Sequence, residues 1–125
     1  MTVHSLADSM EWYKMTFHFE FLEGDLADPE VPWAIVGRND TMLCLYEYPA
    51  LKRIEMGTGA GSHRIFHFGL RISERKEWED KVQELNLPLL YGGLREYPHS
   101  VSWYVQDPSG HIIEVSYAGD KPLKF

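Results

Sequence analysis

Glu114 is the residue whose setting most demands a chemical explanation. It stands in Ile112-Ile113-Glu114-Val115-Ser116-Tyr117, a carboxylate in an otherwise apolar strand. A charge there needs a cationic partner, a metal ion or water, because an isolated buried carboxylate is costly. Taken alone, a glutamate is more simply placed on the solvated side of a sheet. Two other features invite chemistry. Cys44 is the one cysteine in the chain; a thiolate can hold zinc, but a lone buried cysteine more often serves as a small core residue. Gly57-Thr58-Gly59-Ala60-Gly61 is glycine-rich. A dinucleotide-binding loop would follow a buried parallel strand and open a helix. Here a strand follows, so the glycines read as a flexible joint.

The elements that must position Glu114 are legible around it. Asp107-Pro108-Ser109-Gly110 fits a type I turn, with Asp bonding back to the backbone, Pro supplying a preset φ and Gly at the exit. On its two sides Val101, Trp103 and Val105 share one face of a strand, and Ile113, Val115 and Tyr117 share one face of the next. Upstream, Thr2-Val3 reads as the end of a strand whose beginning is missing. Ser5 to Asp8 resembles a capping box opening a helix over about 8–16. Phe17 to Leu22 alternates as a strand, Trp33 to Val36 is a short strand, and Gly37 to Asp40 is a turn. Thr41 to Tyr48 is a strand with Leu43 and Leu45 on one face and Met42, Cys44 and Tyr46 on the other. After a linker over 49–62, His63 to Ile72 is a strand with His67 opposite the Phe66 and Phe68 side. Ser73 is placed to cap a helix over 74–86, in which Trp78, Val82 and Leu85 form a core stripe. Pro88 to Tyr91 reads as a short strand, Gly92 to Pro98 as a loop and Asp120 to Phe125 as a polar tail.

Bulk properties narrow the class. The 125 residues, 44% hydrophobic and 25% charged, suit one globular domain. A net charge of -7, with no Lys/Arg cluster, argues against nucleic acid. The single cysteine fits a reducing compartment, and no signal peptide or long apolar run is found, so the expectation is a cytoplasmic protein without a membrane span. The order of elements also repeats. The turns before Thr41 and His111 match at an offset of 70 residues, which sets Cys44 opposite Glu114 and the twin of His67 before residue 1. The helices match less well, with Trp12 and Trp78 only 66 apart.

Three motifs together resemble the vicinal oxygen chelate superfamily, the glyoxalase, bleomycin-resistance and extradiol dioxygenase group. They are Val3-x-x-Leu6-x-x-Ser9-x-x-Trp12-Tyr13, His67-x-x-Leu70-x-Ile72 and Asp107-Pro108-x-Gly110-x-x-x-Glu114. The resemblance covers nearly the whole chain. It implies an α+β fold of two βαβββ modules, about 1–48 and 63–118, forming a curved mixed sheet around a cavity, with helices on the convex face. It also implies a homodimer that pairs modules across the interface. By the same resemblance His67 and Glu114 are ligands of a divalent metal such as Zn, Fe(II), Mn or Ni. Two departures stand out. The strand that would supply a third ligand is cut short, with His4 falling too late to replace it. The position that carries a glutamate in glyoxalase I-type enzymes carries Cys44.

Two functional readings follow, beside a third in which the module is degenerate and has only a structural or dimeric role. The first is a metal-dependent lyase, isomerase or dioxygenase acting on a small substrate held through neighbouring oxygens, with His63 or His99 as possible proton carriers. The second is a non-catalytic protein that binds a small, antibiotic-like molecule. Its cavity aromatics would be Trp33, Tyr46 and Trp103 or Tyr104, and its acidity would suit a cationic ligand.

Overall fold

The computed structural model describes residues 1–51 and 65–119. The glycine run over 57–61, His63 and the tail from Asp120 therefore lie outside the described residues. Ten elements run in the order β1 (Thr2–Val3), α1 (Leu6–Phe17), β2 (Glu20–Asp25), β3 (Trp33–Arg38), β4 (Thr41–Glu47), β5 (Phe68–Arg71), α2 (Arg75–Glu84), β6 (Arg95–Tyr97), β7 (Ser100–Gln106) and β8 (Ile112–Tyr117). The strands form two four-stranded sheets of matching topology, β1-β4-β3-β2 and β5-β8-β7-β6. In each, the first strand runs parallel to the last and the other pairs are antiparallel. This is the α+β, twice-repeated βαβββ arrangement expected from the sequence. The repeat in register is offset by one residue in its first strands. With β4 and β8 matched at the offset of 70 that makes Cys44 the counterpart of Glu114, Tyr46 pairs with Thr2 and Ser116 with Arg71, so β1 and β5 match at 69. The counterparts of Gly69 and His67 fall before Met1.

The chain divides into two compact units, Met1–Glu55 with Asp107–Gly110, and Met56–Gln106 with His111–Phe125. In the first, α1 buries Leu6, Ser9, Tyr13, Thr16 and Phe17, a helical stripe. Ala34, Val36 and Leu45 are fully or almost fully buried on one face of the sheet. The helix is capped twice. Ser5 Oγ accepts from Asp8 N–H at 3.2 Å, and Glu47 Oε2, at the end of β4, accepts from Leu6 N–H at 2.7 Å. Both satisfy first-turn donors that have no partner within the helix. The helix ends one residue later than the sequence suggested, and Phe17 and His18 do not begin a strand. His18 adopts a left-handed conformation (φ 57°) and its N–H closes on Lys14 C=O at 2.9 Å. Phe17 and Phe19 then join Tyr13 in an aromatic cluster with ring centroids 6.0–6.2 Å apart.

The turn 107–110 belongs to this first unit. Tyr13, with no exposed surface, donates to Asp107 Oδ2 at 3.0 Å. Asp107 Oδ1 accepts from Ser109 N–H at 3.0 Å, and Gly110 N–H donates to Asp107 C=O at 3.0 Å. Ser109 Oγ accepts from His4 N–H at 2.9 Å. Burial, reinforced by the charge of Asp107 and its hydrogen bond, pushes the Tyr13 phenol far above the usual range. The folded state therefore holds this proton more tightly than the unfolded chain does. Its contribution is complete below about pH 10, the unfolded phenol value, and is lost as pH rises beyond it. Tyr13→Phe is expected to cost about 2 kcal/mol at neutral pH, the scale of a hydrogen bond to a carboxylate. It should also flatten the alkaline fall in stability; urea denaturation of both proteins from pH 7 to 11 reads both effects.

In the second unit α2 carries one buried residue, Trp78. Trp103, Val105, Ile113 and Val115 are buried on one face of the sheet, and the Arg75 guanidinium of α2 sits 5.8 Å from the centroid of the Trp103 ring. Three boundaries differ from the sequence reading. The N-cap of α2 is Glu74, without a side-chain cap bond, rather than Ser73. The described part of the strand before α2 is Phe68–Arg71, shorter than His63 to Ile72. The short strand is Arg95–Tyr97, where a loop was expected, while 88–91 lies outside the ladder. There Leu90 N–H bonds to Tyr104 C=O at 2.8 Å, and Tyr91, Gly92 and Gly93 take φ of 53°, 81° and 97°. Three successive left-handed residues form the turn between Leu90 and β6, and two glycines there keep the steric cost low.

Candidate functional site

Alternation along the second sheet separates two faces. Register pairs Trp103 with Val115 and Val105 with Ile113, which are the buried apolar positions. The intervening pairs, Ser102 with Ser116 and Tyr104 with Glu114, therefore share the other face. Gly69 is the neighbour of Glu114 on β5, and His67 lies two residues before it, on the same side. Arg95 opposite Ser102 and Tyr97 opposite Ser100 continue this face on β6. It carries the polar groups of Glu114, Ser102 and Ser116, because Trp103, Val105, Ile113 and Val115 are turned to the other side.

At its centre His67 Nε2 lies 3.1 Å from Glu114 Oε2. Both side chains are partly buried, with 32% and 23% of their surface exposed, which is enough for a small molecule to reach them. Ser102, fully buried, donates from Oγ to Glu114 Oε1 at 2.7 Å. The Tyr104 ring meets the His67 ring edge-on at 5.6 Å and the Tyr91 ring at 5.1 Å. The Tyr104 and Tyr97 hydroxyls are 3.0 Å apart. Burial, then the hydrogen bond to Tyr97 and the charge of Glu114, raise the Tyr104 phenol well above its ordinary value, so it remains a protonated donor. His67 Nδ1 is buried and has no hydrogen-bond partner among the described residues.

The donor types and spacing fit a metal ion. Bonds of about 2.0–2.2 Å to nitrogen and oxygen place neighbouring ligand atoms about 3.0–3.5 Å apart, so an imidazole and a carboxylate oxygen at this separation can share one ion. Among the described residues no group of three His, Cys, Asp or Glu side chains is placed to hold one. His67 and Glu114 thus offer two donors, with no third placed beside them among the described residues.

The other expected site residues are placed as follows. Trp103 is on the opposite face from Glu114, packed beneath Arg75, and Tyr104 stands beside Glu114 instead. Trp33 and Tyr46 belong to the first unit, where they are direct cross-strand partners. They share a face with Cys44, and a hydrogen bond to Cys44 raises the Tyr46 phenol. Trp33 is half-buried and Tyr46 exposed. The Cys44 carbonyl accepts from the Met1 amino group. His99 is exposed, in the turn between β6 and β7. Sequence reasoning passed over Ser102, Tyr97 and Tyr91. Period-two alternation back from Glu114's partner Tyr104 was a sufficient signal for Ser102, while Tyr91 and Tyr97 come from segments whose structure was read wrongly.

Residues 1–115 match the model of the family described as the Glyoxalase/Bleomycin resistance protein/Dioxygenase superfamily. No curated protein matches the sequence. Solved structures share the fold at low identity. A glyoxylase/bleomycin resistance protein/dioxygenase domain from Frankia sp. EAN1pec superposes with a TM-score of 0.76 at 13% identity, covering 97% of this chain and 89% of that one. Lactoylglutathione lyase from Agrobacterium tumefaciens gives 0.66 at 20% identity, with 94% and 88% covered. A mutant of the fosfomycin resistance protein FosX from Listeria monocytogenes, complexed with Mn(II) and dihydroxypropylphosphonic acid, gives 0.67 at 15% identity, with 92% and 85% covered.

Proposed function

This chain belongs to the Glyoxalase/Bleomycin resistance protein/Dioxygenase superfamily, and we propose that within it His67 and Glu114 are protein ligands of a divalent metal in an enzyme acting on a small substrate held through neighbouring oxygens. The observation that carries this reading is the 3.1 Å approach of His67 Nε2 to Glu114 Oε2 on the polar face of the second sheet. Zn, Fe(II), Mn and Ni all suit a mixed nitrogen and oxygen donor set, and the structural neighbour FosX is recorded with Mn(II). When bound, such an ion supplies Lewis-acid stabilisation of negative charge developing on substrate oxygen. The chain's own residues do the rest. Glu114 and His67 fix the place of reaction. Ser102 orients the carboxylate. Tyr104, kept protonated by its surroundings and packed against buried Leu90 and Ile112, offers a hydroxyl hydrogen bond to an oxygen of the substrate. The reaction belongs to the lyase, isomerase or dioxygenase class.

Metal content measured by mass spectrometry on purified, tag-free protein tests the reading, with intact mass taken from the same sample. About one divalent ion per chain, removed by chelator, is the expected result. No metal at the expected mass would sink it.

A second reading, a non-catalytic protein that binds a small antibiotic-like molecule, is favoured by the cross-strand pair Trp33 and Tyr46, two aromatic rings with accessible surface on one face. Saturable binding of cationic aromatic compounds, unaffected by chelator, would select it. For either reading we propose a cytoplasmic homodimer, in keeping with the single cysteine. Among the described residues no helix is long and apolar enough to cross a membrane.

A further inference from the structure

The two oxygens of Glu114 are not equivalent. Oε2 faces His67 Nε2 at 3.1 Å, and Oε1 accepts from Ser102 Oγ at 2.7 Å. The serine reaches it diagonally across the β7–β8 pair, since Ser102 itself is opposite Ser116 and Tyr104 is opposite Glu114. The distance is at the long end of the range for charge-assisted bonds between a hydroxyl and a carboxylate. Ser102 has no exposed surface, so water does not compete for its proton. On the other side of Glu114 stands Gly69, where a Cβ would meet only the Glu114 carbonyl oxygen, at 3.9 Å. Ser102 is therefore the partner that holds Oε1, while His67 approaches Oε2 and open space lies on the strand beside them.

We propose that Ser102 is a positioning residue that reserves Oε1 and makes Glu114 a one-oxygen ligand, thereby favouring small first-row ions over calcium. This rests on the metal reading given above. A carboxylate with both oxygens free can bind an ion through both, a mode that suits the larger, oxygen-seeking Ca(II). With Oε1 occupied by a buried hydroxyl, only Oε2 is presented, beside an imidazole nitrogen that Ca(II) does not favour. Removing the hydroxyl frees the carboxylate to turn about its terminal torsion, which is soft.

The test is titration calorimetry of metal-free wild-type, Ser102→Ala, Ser102→Thr, Ser102→Cys and Ser116→Ala proteins with Mn(II) and with Ca(II), with thermal unfolding recorded on the same samples. Ser102→Ala is expected to lose about 10- to 100-fold in Mn(II) affinity, the usual scale for outer partners of metal ligands, with Ca(II) binding unchanged or tighter. Ser102→Thr, which keeps the hydroxyl, should restore Mn(II) binding to near wild type. Ser116→Ala, on the same face but one rung away, should not alter it. Ser102→Cys keeps the shape with a weaker donor and should fall between, which preserves the test if the alanine variant unfolds. An Mn(II)-to-Ca(II) affinity ratio equal to wild type in Ser102→Ala and Ser102→Cys overturns the proposal, whether both affinities are unchanged or both fall together. If wild type binds Mn(II) and these variants match it, only the role of Ser102 fails. If wild type binds neither ion, the metal reading fails and the proposal with it.

Discussion

Glu114→Ala is expected to abolish stoichiometric uptake of divalent metal, and His67→Ala to do the same, while both variants stay folded. Outer-sphere substitutions at metal sites already cost about 10- to 100-fold in affinity, so losing one of two protein ligands should exceed about 100-fold. The structural cost is small by comparison. Neither side chain belongs to the apolar core behind the sheet, and each keeps part of its surface exposed. Glu114→Gln sharpens the test because it preserves shape and still accepts from Ser102 while removing the charge. It should bind metal no better than about a hundredth as well as wild type. Metal per chain after dialysis against a defined free-ion concentration, with far-UV circular dichroism of the same samples, separates loss of the site from loss of the fold. Unchanged metal content in the His67→Ala/Glu114→Ala double variant would sink the assignment.

The largest effect on stability is expected from Trp78→Ala, at about 3–5 kcal/mol. That is a large share of the roughly 5–15 kcal/mol that holds a domain of this kind together. The reason is concentration. Trp78 is the one buried residue of α2, whereas α1 spreads its burial over five positions. Beyond Trp78, Arg75 lies over Trp103 of the sheet, while the ion pairs of Arg75 with Glu79 at 2.8 Å and of Lys76 with Asp80 at 2.7 Å are made within the helix itself and are each worth only a few tenths of a kcal/mol. Removing the indole therefore leaves little to keep the helix on its sheet. Guanidinium denaturation should show the lowered midpoint, and metal affinity should fall with it, because the strand carrying Glu114 is backed by that helix-covered face. A midpoint within about 1 kcal/mol of wild type would contradict this account.

Where local chemistry alone decides conformation, the sequence was readable. Asp107-Pro108-Ser109-Gly110 makes the turn its residues require, and Ser5 caps α1 as its spacing suggests. Strict alternation placed Cys44 and Tyr46 together, and set Glu114 opposite Ile113 and Val115. What failed was decided at longer range. His18 ends α1 in a left-handed conformation, a state that no side chain nearby announces, and so the Phe17 to Leu22 alternation looked like one strand. Arg95–Tyr97 is a strand because Ser100 to Ser102 gives it a partner, not because of its own propensity. The family motif singled out His67 and Glu114, which meet at 3.1 Å, but the choice between Trp103 and Tyr104 as the neighbour of Glu114 needed the register. Both are aromatic, adjacent and plausible, and only pairing with Val115 or Glu114 tells them apart.

The turn 107–110 has an implication for the ancestry of the chain. It is encoded in the second repeat, yet it is counted with the first unit, where Asp107 accepts the proton of Tyr13 and Ser109 accepts from His4. Once a duplicated half has lent its partner a piece of interior in this way, the copies cease to be interchangeable cassettes. Fission of the gene in the segment between Tyr48 and His63 would strand a buried phenol in one product and its acceptor in the other. Such an exchange ties the two copies to a single reading frame and lets each drift from its twin, as Cys44 has from Glu114.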